Sequence, residues 1–502
     1  MTTRTRTLGR SLTLAPIPLL VAVWLALACG WWAVLRGTRY MLEALQYGAP
    51  LDGQEGMALW EASLLRSGRG LYLPVVPENF VSAPYPPVHP LLLALFGEST
   101  VPHIFWTGRM ISLIAALLVA LAGFGAVRQV TGSRLAGLSA AVGVLAFAPL
   151  QIWALRIKPD MIGLAFTVAG LWLTALWSGS QAGDAEAPRR AWLPPSLIAA
   201  ALAFVLAHFS KQTMLAGPLA AGTYLLLRDR WIALRWGLLY LLVLGLTWAA
   251  LDLVTHGQYT YHVWVLHKLQ WYGARFWKLA SQLRDTWPLL ILGLTGLLVT
   301  WRRPTVINAY LLWAPASLIG AGVVGSHHNH LLETGVALVL AGAQAVGLGL
   351  TYGGVLRTLA PVLLGTQLLL WSTPLPWFVG DFGFKEDYLK YIDYLRATPG
   401  EVMADDVGLV YAARGSLRYD DPAAMGPAAT LGLWDQREFV ELIRAGHFST
   451  IILPMDVYGE DGLTDPAGRW TREMLQAVKD TYGVKFRDTL LIYAPKSTLP
   501  PE

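Results

Sequence analysis

Two carboxylates, Asp52 and Glu55, stand three residues apart in LDGQEG, just past the first long apolar segment of the chain. On a helix start, positions i and i+3 share a face. A carboxylate within hydrogen-bond reach of a hydroxyl can take its proton, and ionisable groups at a membrane edge are costly enough to suggest a function. Asp is equally a favoured helix N-cap, so either acid could simply open the helix that EGMALWEASLL predicts. A third acid, Asp160, follows Arg156, Lys158 and Pro159 in RIKPD, and Lys211 interrupts two apolar segments in HFSKQTML. The turn GSHHNHLLE brings His327, His328, Asn329, His330 and Glu333 together. Imidazole with carboxylate suits zinc, but the spacing matches no strong metal signature. Hydrogen bonds to a sugar or phosphate suit it better, and an ordinary polar turn accounts for the same residues. In YPPVHP the prolines stiffen the chain. Tyr85 there is a candidate substrate contact, and His89 reads as structural.

The elements that must position these groups are membrane spans. Of 502 residues, 55% are hydrophobic and 14% charged, with mean hydropathy +0.46; a soluble protein of this size carries roughly a quarter charged residues. Apolar lengths predict about eleven spans, near 13–35, 106–127, 135–154, 161–178, 194–210, 212–228, 233–254, 286–301, 305–324, 331–350 and 357–375. The fold class expected is therefore mainly α, a polytopic helical membrane protein. The single cysteine, Cys29, excludes a disulfide framework and a cysteine metal site. No glycine-rich nucleotide loop occurs in a strand–turn–helix setting, and nothing points to nucleic acid.

With the basic MTTRTRTLGR end inside, every short cytoplasmic turn is basic: Arg128 and Arg134, Arg189 and Arg190, Arg228 and Arg230, Arg302 and Arg303, Arg357. That pattern fits the positive-inside rule. The outer side then receives loop 36–104, the turns holding Asp160, Lys211 and the histidines, loop 255–285 and the C-terminal tail. Arg109, Arg156, Lys158, Lys211 and Arg275 sit on that disfavoured side. Anionic headgroups or a bound phosphate would explain them, and snorkelling side chains would account for some.

Hydrophobic density falls after about residue 378. DYLKYIDYLRAT, QREFVELIRAGH and WTREMLQAVKDTY read as helices, VGLVYAARG as a strand or short helix, and STIILPM and KFRDTLLIYAP as strands. The division expected is a transmembrane domain, 1–377, and a small C-terminal α/β domain, 378–502. Asp405, Asp406, Asp420, Asp421, Trp434 and Asp435 could bind carbohydrate there, although solvated turns explain most such aspartates.

In this order, DGQEG, LLRSGRGLY, YPPVHP, TGRMISLIAAL, RIKPDMIGLAF, FSKQTMLAGP and GSHHNHLLE resemble the GT-C superfamily of integral membrane glycosyltransferases. The branch resembled lies near the protein O-mannosyltransferase-like and aminoarabinose-transferase-like enzymes, glycosyltransferase family 39-like. The resemblance covers roughly residues 10–375. It implies a polyprenyl-phosphate sugar donor, transfer to a glycan, lipid or protein acceptor on the outer face of a bacterial inner membrane, and inversion at the anomeric carbon. By position, Glu55 or Asp52 matches the catalytic acid of the first loop, with Glu55 favoured. Asp160 matches the second acidic position. Lys211, with Arg109, Arg156 and Lys158, resembles the donor-phosphate contacts. A divalent metal is a candidate cofactor. The family often shows adjacent acids in this loop, whereas Gly53 and Gln54 separate them here. A transporter or flippase of lipid-linked sugars is the alternative. It usually shows internal repeats and midplane helix breaks, and neither is evident.

Overall fold

The computed structural model describes residues 17–96, 103–180, 192–372 and 387–500. The basic N-terminal segment, Arg189, Arg190 and the expected boundary at 377/378 lie outside those residues. Within them the chain is a helical membrane protein carrying one small sheet. Six helices are long and apolar enough to cross a membrane, and three shorter apolar helices accompany them.

Helix α1 (Ile17–Gln46) runs well past the predicted end at 35. At 1.5 Å per residue a 30-residue helix spans about 45 Å, against a hydrocarbon core of about 30 Å. Its last turns therefore stand clear of the apolar layer, and the first loop begins near 47, not at 36. Arg36 anchors this overhang by donating to the carbonyls of Trp371 and Ser372. Helices α2 (Gln54–Arg66) and α3 (Val88–Phe96) belong to the loop, and α4 (Trp106–Thr131) returns into the bundle.

The segment expected as one span, 135–154, is broken into α5 (Arg134–Ala146) and α6 (Ala148–Trp153) at the extended Phe147. Pro149 sits in the first turn of α6, where a missing N–H costs little. Gln151 repairs the break by donating to the carbonyls of Leu145 (2.8 Å) and Ala33 (3.4 Å), as irregular backbone at membrane depth requires. Then follow α7 (Asp160–Ser180), α8 (Pro195–Ser210), α9 (Ala216–Arg228), α10 (Arg230–Val254), α11 (Gly273–Ala280), α12 (Trp287–Val299), α13 (Val306–Trp313) with a 3-10 extension to Gly322, α14 (Leu332–Tyr352) and α15 (Val355–Ser372). Helix α14 is the axis of the bundle, buried from Leu332 to Gly349. Helix α10 is the opposite case: Leu238, Leu241, Leu242, Leu246 and Leu253 point outward, as a lipid-facing helix must.

The C-terminal residues form β1 (Val402–Ala404), β2 (Thr450–Leu453), β3 (Tyr482–Arg487) and β4 (Leu491–Pro495) in the order β1-β2-β4-β3. β1 and β2 are parallel and the other pairs antiparallel. Helices α16 (Tyr388–Ala397), α17 (Val407–Arg414), α18 (Pro422–Thr430), α19 (Arg437–Arg444) and α20 (Arg472–Thr481) cover the sheet. VGLVYAARG is thus the helix α17. KFRDTLLIYAP supplies two strands, the second half of β3 and all of β4, because Asp488–Leu490 turns the chain back.

This domain seats on α2, which is buried from Glu55 to Ala62 between the bundle end and α17. Gly56 makes the contact: a Cβ there would lie 2.5 Å from the Gly408 Cα and 2.9 Å from the Val407 carbonyl oxygen. Gly56→Ala is therefore expected to overpack the seam, costing about 1–3 kcal/mol. A lower unfolding temperature with new protease cuts in 387–500 would register it; an unchanged temperature would deny the close seam.

Candidate functional site

The charged residues of the first loop, the 154–160 turn, the 210–216 turn and the 325–331 turn converge at the bundle end covered by α2 and the C-terminal domain. Asp52 lies in the turn between α1 and α2. Its Oδ1 accepts the Gln54 N–H at 3.0 Å, so it does help to start the helix. Its Oδ2 faces two cations, Arg156 at 3.0 Å and Lys158 at 3.1 Å. Burial pushes the Asp52 carboxyl up, but Lys158, Arg156, His327 and the Gln54 amide outweigh it and hold it below the ordinary carboxylate range. With its side chain 14% exposed, Asp52 keeps a path to solvent.

Glu55 is in a different state. It is fully buried, and its oxygens accept from Arg109 Nη2 (2.8 Å), Arg109 Nε (3.4 Å), Leu51 N–H (2.9 Å) and Ile157 N–H (3.2 Å). A carboxylate offers about four such positions, so all are taken. Arg109 is likewise consumed. Beyond Glu55 it donates to the carbonyls of Ala44 (2.8 Å), Tyr47 (2.5 Å) and Ala49 (2.7 Å), which exhausts its five N–H groups. The pair ties the end of α1, the start of α2 and the root of α4 together. The structure thus brings Glu55 and Arg109 to the site as its floor, with no lone pair left for an acceptor and no donor left for a phosphate.

Asp160 opens α7, and its Oδ1 meets Lys211 Nζ (2.5 Å) and Asn329 Nδ2 (3.0 Å). Its Oδ2 is buried without a hydrogen-bond partner. Lys158, within electrostatic reach of both aspartates, links the Asp52 and Asp160 groups into one cluster. Three cations, Arg156, Lys158 and Lys211, face two carboxylates, leaving one surplus positive charge. Gln54, unremarked in sequence, holds Lys158 through its Oε1 at 2.9 Å.

The GSHHNHLLE residues divide. Asn329 belongs to the cluster, and His327 is exposed within electrostatic reach of Asp52. His328 is buried edge-on to Trp153, with ring centres 6.2 Å apart. His330 turns its Nδ1 to the Ser317 carbonyl at 3.3 Å, and Glu333 lies inside the bundle against the Tyr310 hydroxyl at 3.4 Å. Among the described residues no three His, Cys, Asp or Glu side chains are arranged to hold a metal ion. Tyr85 lies within electrostatic reach of Asp160, Asp52, Asp421 and Glu61, and burial raises its phenol well above the ordinary value.

Sequence reasoning missed Glu61, which sits six residues past Glu55 on a helix with almost no exposed face. A carboxylate amid MALWEASLL was the available signal. Of the tail aspartates, Asp405 pairs with Arg469 (2.5 Å) and Asp435 with Arg437 (2.6 Å), both within the domain. Asp420 and Asp421 bond to the first loop at Ser82, and Asp406 lies against Gly53 of the same loop.

No protein-family model and no curated protein matches the chain. Solved structures do. ArnT from Cupriavidus metallidurans in the apo state is 16% identical, with 95% of this chain and 100% of that one aligned at a TM-score of 0.58. The same protein bound to undecaprenyl phosphate aligns over the same shares at 16% identity and 0.54. The oligosaccharyltransferase AglB from Archaeoglobus fulgidus, in complex with an inhibitory peptide and a dolichol-phosphate, is 12% identical. There 96% of this chain and 75% of that one align at a TM-score of 0.54. The chain has the fold of these two proteins.

Proposed function

We propose that this protein transfers a sugar from a polyprenyl-phosphate donor to an acceptor hydroxyl, at the outer face of the membrane, with inversion. The observation that carries the reading is the cluster of three cations around two carboxylates, placed where helices end and carrying one surplus positive charge. A lipid-linked phosphate approaching from the bilayer edge would find Arg156, Lys158 and Lys211 there. The basic cytoplasmic turns orient this end outward.

Asp52 is the base on this reading. It combines partial exposure with an oxygen held only by side chains, those of Arg156 and Lys158. The acceptor oxygen forms a bond to C1 as its proton passes to Asp52, and the bond from C1 to the phosphate oxygen breaks on the opposite side. The departing lipid phosphate gains charge, which Lys211 and its neighbours offset. Asp160 holds Lys211 in place, and Asn329 fixes Asp160. One displacement with one base inverts the centre. No step is assigned to a metal, since lysine and arginine already crowd both aspartates.

The test is radiolabel transfer by the purified protein from a panel of polyprenyl-phosphate sugars to extracted envelope glycans and lipids, beside Lys211→Ala. Wild-type turnover with a ten- to hundredfold loss in Lys211→Ala is expected. Turnover that Lys211→Ala leaves intact removes the phosphate role. Donor carried across vesicles without transfer to any acceptor would make the protein a flippase.

A further inference from the structure

A second buried acidic group lies away from the Asp52 cluster, at the seam between α2 and the C-terminal domain. Glu61 is 1% exposed, Asp420 0% and Asp421 3%. The segment around Ser82 ties them together. The Ser82 N–H donates to Asp420 Oδ1 at 2.8 Å, and the Ser82 hydroxyl donates to Asp421 Oδ2 at 2.9 Å and touches the Met57 sulfur, one helical turn before Glu61. The Asp420 N–H donates to the Phe80 carbonyl at 2.9 Å, and the Phe80 N–H donates to the Arg418 carbonyl at 3.0 Å.

Among the described residues a basic side chain reaches only one of the three acids. His267 presents Nε2 to Asp421 at 3.1 Å and Nδ1 to the His262 carbonyl at 2.9 Å. Both ring nitrogens thus face oxygen atoms. His262 accepts the Ala83 N–H on Nδ1 (3.1 Å) and donates from Nε2 to the Leu73 carbonyl (2.6 Å), the pattern of a neutral ring. The phenols of Tyr72, Tyr85 and Tyr259 complete the surroundings. Arg69 is stacked over Trp60, and Arg418 faces Glu401 and Glu438. Among the described residues no lysine or arginine pairs with Glu61 or Asp420. Glu61 Oε1 and Asp420 Oδ2 are buried with no donor in reach. A buried carboxylate that faces no cation and has an oxygen left without any donor takes up a proton instead.

We propose that Glu61 and Asp420 are held as protonated carboxyl groups that clasp the C-terminal domain to the first loop, and that the clasp opens in alkali. Burial raises Glu61 far above its ordinary value, with the charges of Asp420 and Asp421 adding to it; burial does the same to Asp420. A group whose folded value is raised contributes stability in full below its unfolded value, about 4 for a carboxyl. That contribution is lost as pH climbs toward the folded value. Each proton released then multiplies the open fraction about tenfold per pH unit.

The test reads opening, not turnover, so it stands apart from the transferase reading. Hydrogen exchange of the full-length protein in nanodiscs, corrected for intrinsic rates, would be followed over 57–64 and 419–430 from neutral to alkaline pH. Both segments of the wild type are expected to open up to about a hundredfold per pH unit, falling to about tenfold in Glu61→Gln or Asp420→Asn alone and to a flat response in the double variant, which keeps the shape without the protons. A variant-free check is the carboxylic-acid C=O stretch in the infrared spectrum at neutral pH. Its absence, or equal pH dependence in wild type and Glu61→Gln, overturns the clasp.

Discussion

Asp52→Asn is expected to lower sugar transfer by about 10²- to 10⁴-fold, the range a positioned general base supplies, while the protein remains folded and binds donor. The amide keeps the Gln54 N–H contact on its oxygen, so the start of α2 survives. What it lacks is a lone pair that can hold the acceptor's proton. Arg156 and Lys158 lose an anionic partner in the same change, and a phosphate donor replaces that partner. Donor affinity is therefore expected to hold or rise while kcat falls. Stopped turnover with unchanged donor titration supports this assignment, and near-normal kcat in Asp52→Asn would falsify it. Because Lys158 and Arg156 hold the carboxyl below its ordinary range, the wild type keeps its base ionised through neutral pH. Loss of activity at its expense begins only in acid.

Arg109→Ala is the largest expected effect on stability. The change removes five donated hydrogen bonds and leaves Glu55 buried without a counter-charge. Breaking a buried pair from one side costs about 3–5 kcal/mol. Glu55→Gln leaves Arg109 unbalanced and should fall in the same range. Both variants are expected to melt earlier in detergent, followed by tryptophan emission, with kcat per folded molecule of Glu55→Gln within a few-fold of wild type. Full stability with lost kcat in Glu55→Gln would instead return the base to Glu55.

The contrast between these two acids marks where sequence reading stopped. Apolar length placed every predicted span on an observed helix, because burial in lipid demands continuous backbone bonding. It could not see that α1 continues to Gln46, since Arg36, Arg39 and Glu43 end the apolar run without ending the helix. Nor did it see the break at Phe147, which a side chain 118 residues from its carbonyl partner helps to repair. At the site, the order of charged motifs was legible and their partnerships were not. Asp52 and Glu55 are near-equals in sequence, yet one meets the side chains of Arg156 and Lys158 and the other is locked by backbone amides and Arg109. Pairings such as Ser82 with Asp420 and Asp421 join residues far apart in the chain, and no local periodicity records them.

The grip of Arg156 and Lys158 on Asp52 also sets an order of events. With no phosphate present, the two cations quiet the carboxylate, and an acceptor or a water molecule reaching it finds a poor proton acceptor. An arriving lipid phosphate competes for the same cations and loosens their hold. The donor thereby switches on the base that will consume it, so acceptor chemistry waits for a loaded site. Initial-rate kinetics should accordingly show donor binding before acceptor, and the acid limb of activity should shift upward once donor is bound.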